Sequence, residues 1–173
     1  MKRHELEHII RASSGVSGIG DIVVVGSQAI LGQYPDAPRD LIVSIEADVF
    51  PKGRSDLSVQ IDGAIGERSI FHETFGYYAH GVDETTATLP VGWEDRLLPI
   101  RNENTGGATG WCLEVHDLAA AKLAAGREKD TAFVAALLRH RMADRNELIR
   151  RVDTLPLPQD CLDLIRARLG RMA

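Results

Sequence analysis

The sequence predicts an α/β domain followed by a C-terminal run of helices. Residues 21–25 are a short β-branched run, long enough for a buried strand and too short for a helix. Residues 41–50 form a second apolar segment of strand length, and from residue 117 onward the pattern is helical. We therefore divide the chain into an α/β domain over residues 1–138 and an Arg-rich helical extension over residues 139–173 that packs on it.

The first half of the chain reads as alternating elements. Residues 4–12 form a helix, because their apolar side chains recur on one face, and the Gly- and Ser-rich residues 13–20 end it. The strand over residues 21–25 runs directly into Gly26-Ser27, and residues 28–31 look like the first turn of a helix. A strand, a tight turn and a helix start are thus predicted in immediate succession.

The later elements are shorter. Residues 55–72 have a loosely helical pattern, and residues 77–82 and 85–89 look like short strands around an Asp-Glu turn. Residues 96–100 and 111–115 are consistent with a hairpin whose loop spans residues 102–110. The predicted helices of the second half are 117–125, 130–141, 145–152 and 159–171.

Composition excludes several classes of protein. The chain has 173 residues, of which 44% are hydrophobic and 26% charged, as is ordinary for a globular domain. Two cysteines are too few for a disulfide framework and are typical of a reducing cytoplasm, and charges at Met1–Glu5 occupy the place of a signal peptide's apolar segment. No apolar run approaches the ~20 residues that span a bilayer. We expect a cytoplasmic protein that does not enter a membrane.

Charge is unevenly distributed. Residues 1–138 hold 12 basic and 20 acidic side chains, whereas residues 139–173 hold eight arginines and five acids. An Arg-rich tail behind an acidic body is one pattern of a nucleic-acid contact surface. The acids interspersed among these arginines favour the alternative, a solvated helical surface with local ion pairs.

Two acids on the second strand are the strongest chemical signal. Glu46 and Asp48 are two positions apart, so both carboxylates point to one face, while Ile45, Ala47 and Val49 point into the core. Crowded carboxylates repel each other, and a divalent cation relieves the repulsion. Mg²⁺ prefers one or two carboxylates together with phosphate oxygens of a substrate.

The Gly26-Ser27 turn completes this candidate site. At the start of a helix, its backbone N–H groups can cradle the phosphates of a nucleotide, and the Ser27 hydroxyl can donate to them. With Glu46 and Asp48, the turn predicts a site for metal-assisted transfer of a nucleotidyl group. The structural alternative is a glycine turn beside a solvent-facing strand that happens to carry two acids.

These residues resemble a known superfamily. Gly26-Ser27, Arg39 and the pattern Ser44-x-Glu46-x-Asp48 are similar to the opening motif of the DNA polymerase β-type nucleotidyltransferases. Residues 122–130, Lys-Leu-Ala-Ala-Gly-Arg-Glu-Lys-Asp, resemble a second motif of one branch. That branch contains the AbiEii-type toxins of bacterial toxin–antitoxin systems and related small bacterial proteins.

The resemblance implies a nucleotidyltransferase-like mixed sheet flanked by helices. It implies an NTP substrate, Mg²⁺ as one or two ions held by Glu46 and Asp48, an RNA or protein acceptor, and an antitoxin partner. Lys122 matches the lysine that contacts nucleotide phosphate, Arg127 of the same motif is assigned to nucleotide binding, and Asp130 matches an aspartate that supports catalysis.

The pattern departs from the superfamily in one respect that keeps a second function open. A third carboxylate commonly comes from a later strand, and here the nearest candidates, Asp83 and Glu84, lie in a predicted turn. A degenerate nucleotidyltransferase fold that binds a nucleotide or a protein without turnover is therefore the alternative. Structural roles also exist for the second motif: Lys122 can extend from a half-buried helix, and Asp130 can cap the next helix.

A third class of function rests on a short motif. Residues 4–8, His-Glu-Leu-Glu-His, match the H-E-x-x-H pattern that places two histidines on one helix face for zinc. A zinc hydrolase also needs a third ligand and a cleft. The remaining histidines show no fixed ligand spacing, so we expect the match to be accidental.

Overall fold

Five strands form one mixed sheet in residues 1–172, the part of the chain that the computed structural model describes. Their order across the sheet is β3-β2-β1-β5-β4, and helices flank it, so the predicted α/β class and mixed sheet are confirmed. The strands are β1 (Asp21–Val25), β2 (Glu46–Pro51), β3 (Tyr78–Gly81), β4 (Leu98–Ile100) and β5 (Thr109–Cys112).

Strand β1 lies in the middle of the sheet because its apolar residues are buried from both sides. It pairs in antiparallel fashion with β2 and in parallel with β5. Strand β2 pairs in parallel with β3. Strands β4 and β5 form the predicted antiparallel pair, but the strand expected over residues 111–115 was placed too late, because β5 ends at Cys112 and Val115 already begins a helix. Strand β2 thus lies between β1 and β3, which decides the neighbours of its two acids.

The helices follow the predicted order with shifted ends. Helix α1 runs past its predicted end at residue 12, because the left-handed turn at Gly18 (φ 71°) stops it and the earlier Gly15 does not. Their bounds are α1 (Arg3–Ser17), α2 (Ile30–Gln33), α3 (Ser58–Ile65), α4 (Ile70–Phe75), α5 (Val115–Ala125), α6 (Glu128–Arg139), α7 (Arg145–Val152) and α8 (Gln159–Gly170).

Two further strand predictions need correction. The strand expected over residues 85–89 is absent from the described chain, and a 3₁₀ turn covers Glu84–Thr86 instead. The Asp83 carboxylate accepts hydrogen bonds from the Thr85 N–H and hydroxyl, and such local bonds compete with strand pairing. Strand β2 begins only at Glu46, so Ile45 is half exposed and lies outside the core.

The C-terminal helices pack onto the same core. Leu148 and Val152 of α7 and Leu162, Ile165 and Leu169 of α8 are buried within one hydrophobic cluster with the sheet. The division at residue 138 stays a prediction. Within residues 1–172, no helix combines the length and hydrophobicity needed to cross a membrane.

Candidate active site

Glu46 and Asp48 lie side by side on one face of β2. Ala47 and Val49, which alternate with them, are fully buried on the opposite face, so the sheet's own pleat turns both acids away from the core. Both carboxylates are partly shielded from water. Burial, together with the nearby charge of Glu46, raises the pKa of Asp48 above its ordinary value, against the lowering contribution of His80.

Gly26 follows β1 and lies against Asp48. Val25 is the register partner of Asp48, so the chain turns directly beside that carboxylate. Gly26 has a φ of 65°, and a Cβ placed on it would lie 2.1 Å from Asp48 Oδ2. Only glycine therefore allows the turn and the carboxylate to approach this closely.

Strand β3 supplies a hydrogen-bond donor to each acid. The Tyr78 hydroxyl donates to Glu46 Oε2 at 2.9 Å, and His80 Nδ1 lies 2.9 Å from Asp48 Oδ1. Both pairs are direct partners in the β2–β3 register. Burial and the bond to Glu46 raise the pKa of Tyr78 to about 12, so its hydroxyl remains a donor at neutral pH.

A buried ionic cluster lies at the junction of α5 and α6. Asp130 is fully buried and accepts from Lys122 Nζ at 3.1 Å and from Arg127 Nε at 2.6 Å. The Lys122 ammonium also lies 4.7 Å from the centre of the Phe133 ring. The left-handed turn at Gly126 (φ 68°) separates the two helices and brings these three charged groups together.

The two cations differ in their surroundings. Lys122 is only 8% exposed, whereas the Arg127 side chain is 62% exposed. Burial lowers the pKa of Lys122, and the bond to Asp130 opposes this effect. Burial raises the pKa of Asp130, but the hydrogen bonds from Arg127 and Lys122 outweigh it and leave that pKa below its ordinary value. Asp130 is thus held as a carboxylate between two cations.

These groups face one cleft of about 450 Å³. It is bounded by the end of β1, one face of β2, the 86–88 segment and the α5–α6 junction. All seven residues predicted for metal, nucleotide or catalysis line it, although the two motifs are about 75 positions apart in the chain. They are Gly26, Ser27, Glu46, Asp48, Lys122, Arg127 and Asp130.

Other residues considered for the site from the sequence lie outside the cleft. Arg39 begins a 3₁₀ turn and does not line the cleft, and neither do Asp83 and Glu84, the candidates for a third carboxylate. The capping role considered for Asp130 is wrong, because Arg127 is the N-cap of α6 and Asp130 lies in its first turn.

The sequence reasoning missed Tyr78 and His80. Like the acids, they are two positions apart on a strand, so they share a face, and that spacing was the available signal. The sequence alone did not predict the register of β3 against β2, which places Tyr78 and His80 beside the two acids. The Thr86-Ala87-Thr88 segment was assigned to a strand, and it forms part of the cleft wall instead.

A comparison with protein families bears directly on this cleft. A family model described as "Nucleotidyltransferase of unknown function (DUF6036)" matches residues 4–156. The chain belongs to the DUF6036 family. The match includes every residue that lines the cleft and ends before α8. No curated protein and no solved structure matches the chain.

His8 and Glu5 of the H-E-x-x-H pattern make structural contacts in this DUF6036 protein. The ring of His8 packs against Phe71 and Phe75, and its Nδ1 lies 2.9 Å from the Tyr77 hydroxyl. The Glu5 carboxylate accepts from the backbone N–H of Lys2. Within residues 1–172, no three His, Cys, Asp or Glu side chains are grouped to hold a metal ion.

The cleft's donor set nevertheless fits a magnesium ion that a bound nucleotide would share. Such an ion needs only one or two carboxylates from the protein, since phosphates and water complete its octahedral shell. Glu46 Oε1 and Asp48 Oδ2 accept no hydrogen bond within the described residues, so one oxygen of each acid remains for a cation.

Proposed function

We propose that this protein catalyses Mg²⁺-dependent transfer of a nucleotidyl group from an NTP to an RNA or protein acceptor. The observation that carries the proposal is the meeting of a carboxylate pair and a cation pair across one cleft. Glu46 and Asp48 come from β2, and Lys122 and Arg127 come from the α5–α6 junction. Membership of the nucleotidyltransferase family supports the reaction class.

The charges of the cleft suit a nucleotide's triphosphate. Glu46 and Asp48 would hold Mg²⁺, which neutralises phosphate charge and polarises the phosphorus that is attacked. Lys122 supplies a point charge to the phosphates from the opposite wall, and Arg127 offers a guanidinium with most of its surface in water. Ser27 and Gly26 lie on the same side of the cleft as Glu46 and Asp48, where a bound cation would be shared with phosphate oxygens.

Asp130 has a supporting role in this scheme. It is fully buried and engaged by both cations, so it holds Lys122 and Arg127 at the cleft before a nucleotide arrives. Ground-state pairing also limits the cost of keeping an ammonium in a site shielded from water. We assign Asp130 to this arrangement of charge and not to the metal.

A direct experiment separates binding from turnover. Each of the four NTPs is titrated with and without Mg²⁺, and turnover is then measured with NTP labelled at the α-phosphate. We expect Mg²⁺-dependent affinity and transfer of label to RNA or protein. Equal affinity with and without Mg²⁺ contradicts the metal assignment, and binding without any transfer contradicts the enzymatic one.

The second candidate function is a nucleotide- or protein-binding module without turnover. It is favoured by the state of Asp130, because this further carboxylate of the cleft is engaged by Lys122 and Arg127 and is not presented to a metal ion beside Glu46 and Asp48. Mg²⁺-dependent NTP binding with no transferred label is its expected result.

A toxin role rests on the resemblance to the AbiEii-type branch. It predicts that expression arrests growth of a bacterial host and that a neighbouring antitoxin relieves the arrest. Asp48→Asn is the matched control, because it should abolish toxicity while the chain stays folded. Equal growth with and without expression contradicts the toxin role.

A further inference from the structure

The donors on β3 match the acids on β2 one to one. Tyr78 is the register partner of Glu46 and donates to Oε2, and His80 is the register partner of Asp48 and lies against Oδ1. Parallel pairing with a side-chain period of two places each donor beside its acid. In each of the two acids, one carboxylate oxygen is in contact with a donor from β3.

Each contact leaves a defined oxygen for a ligand. Asp48 Oδ2 lies next to Gly26 in the Gly26-Ser27 turn, whereas His80 Nδ1 contacts the other oxygen, Oδ1. Glu46 Oε1 likewise accepts no hydrogen bond within residues 1–172. A carboxylate that accepts a hydrogen bond on one oxygen cannot rotate freely, so its other oxygen keeps one direction.

The two donors differ in their position relative to the cleft. The ring of Tyr78 lies 4.6 Å from the ring of His72 on α4, and Tyr78 does not line the cleft. His80 lines the cleft edge, and half of its side chain is exposed. Tyr78 therefore acts only through Glu46, whereas His80 needs a test that separates contact with the cation from contact with Asp48.

We propose that Tyr78 and His80 are positioning residues that orient the two metal-binding carboxylates, each presenting a single oxygen to a small octahedral cation. This inference rests on the proposed metal site. Outer hydrogen bonds of this kind set the direction of metal ligands, and their loss weakens metal binding about 10- to 100-fold. One oxygen from each acid suits Mg²⁺ or Mn²⁺, and Ca²⁺ more often takes both oxygens of a carboxylate.

The test titrates the full chain with Mn²⁺ alone. The EPR signal of unbound Mn²⁺ gives the free concentration, and hence the amount bound. Tyr78→Phe removes only a hydroxyl, and Tyr77→Phe is its matched control, since the Tyr77 hydroxyl contacts His8. His80→Ala removes the second donor, and His80→Asn restores an N–H near the position of Nδ1. Asp48→Asn reports on the metal site itself.

We expect Tyr78→Phe and His80→Ala to weaken Mn²⁺ binding about 10- to 100-fold, with His80→Asn restoring most of the loss. Tyr77→Phe should bind as the unsubstituted protein does. Unchanged binding in Tyr78→Phe and His80→Ala, with weakened binding in Asp48→Asn, overturns the positioning role alone.

Two further results have distinct meanings. A nitrogen coupling to bound Mn²⁺ in pulsed EPR makes His80 a ligand and overturns its positioning role. Failure of His80→Asn to restore binding also overturns that role, because an N–H donor to Asp48 is then not sufficient. The proposed metal site fails if Asp48→Asn binds Mn²⁺ as tightly as the unsubstituted chain does, or if the unsubstituted chain binds no Mn²⁺. In either case the positioning role of Tyr78 and His80 fails with it.

Discussion

Replacing Asp130 by asparagine tests whether the ionic cluster at the α5–α6 junction depends on one buried charge. The substitution keeps the side-chain volume and an acceptor oxygen, so it removes little except the negative charge. Lys122, which is 8% exposed, then loses its buried counter-charge and retains only a neutral acceptor oxygen and the Phe133 ring, 4.7 Å away. Arg127 is exposed and can turn toward water.

The expected loss of stability in Asp130→Asn follows from the burial of the Lys122–Asp130 pair. Leaving one partner of a buried ion pair uncompensated costs about 3–5 kcal/mol. In a chain of this size, that loss lowers the melting temperature by roughly 6–20 °C. Lys122→Met should cost at most about 1 kcal/mol or raise stability, because Asp130 keeps Arg127 and the desolvation cost of the ammonium disappears.

The pH dependence has a defined sign. The pKa of Asp130 is lowered, so its pairing adds stability above the ordinary aspartate pKa and this contribution is lost as pH falls through the lowered value. The pKa of Lys122 is lowered as well, so the cost of its burial is relieved as pH rises. The gap between the original protein and Asp130→Asn should therefore be widest near neutral pH and narrow toward pH ~10.

Urea unfolding followed by circular dichroism, at pH 5, 7 and 9.5, measures these differences. The double variant Lys122→Met/Asp130→Asn should be more stable than Asp130→Asn, because it removes the stranded ammonium. The reasoning is refuted if Lys122→Met is as destabilising as Asp130→Asn at neutral pH, or if the double variant is no more stable than Asp130→Asn.

Three further predictions concern the acids, the glycine turn and the tail. Asp48→Asn should weaken Mg²⁺-dependent NTP binding in a titration and raise the melting temperature of the metal-free protein at pH 7. Since the pKa of Asp48 is raised, this gain in stability should vanish as pH falls toward 4, and a gain that persists there contradicts the explanation. Gly26→Ala should cost about 1–3 kcal/mol in urea unfolding, because φ is positive and the new Cβ meets Asp48, whereas Gly15→Ala, with open space around it, should cost nothing. Generic RNA should bind only slightly in a filter-binding assay at 150 mM salt. Arg150→Gln should leave that weak binding unchanged, because the Arg150 guanidinium is paired with Glu147. Tight, salt-sensitive binding would show the C-terminal tail to be a nucleic-acid surface.

Most of the fold could be predicted because its signals are local. The β-branched run of β1 and the helical periodicity from residue 117 onward are each recognisable within a few residues. The same holds for the pair Glu46 and Asp48, since two residues two apart on any strand share a face. The strand predicted over 85–89 was wrong because the hydrogen bonds of Asp83 to Thr85 outweigh the β-propensity of threonine.

The sequence by itself determined which chemical groups this protein has and which of them share a local face. Only the tertiary structure decided which groups meet: Lys122 with Asp130 in a buried pair, and Tyr78 and His80 with the two acids. These contacts depend on the backbone turn at Gly126 and on the register between β2 and β3. Both are set by packing over the whole core, because a shift of one residue in strand register would turn each donor to the other face of the sheet.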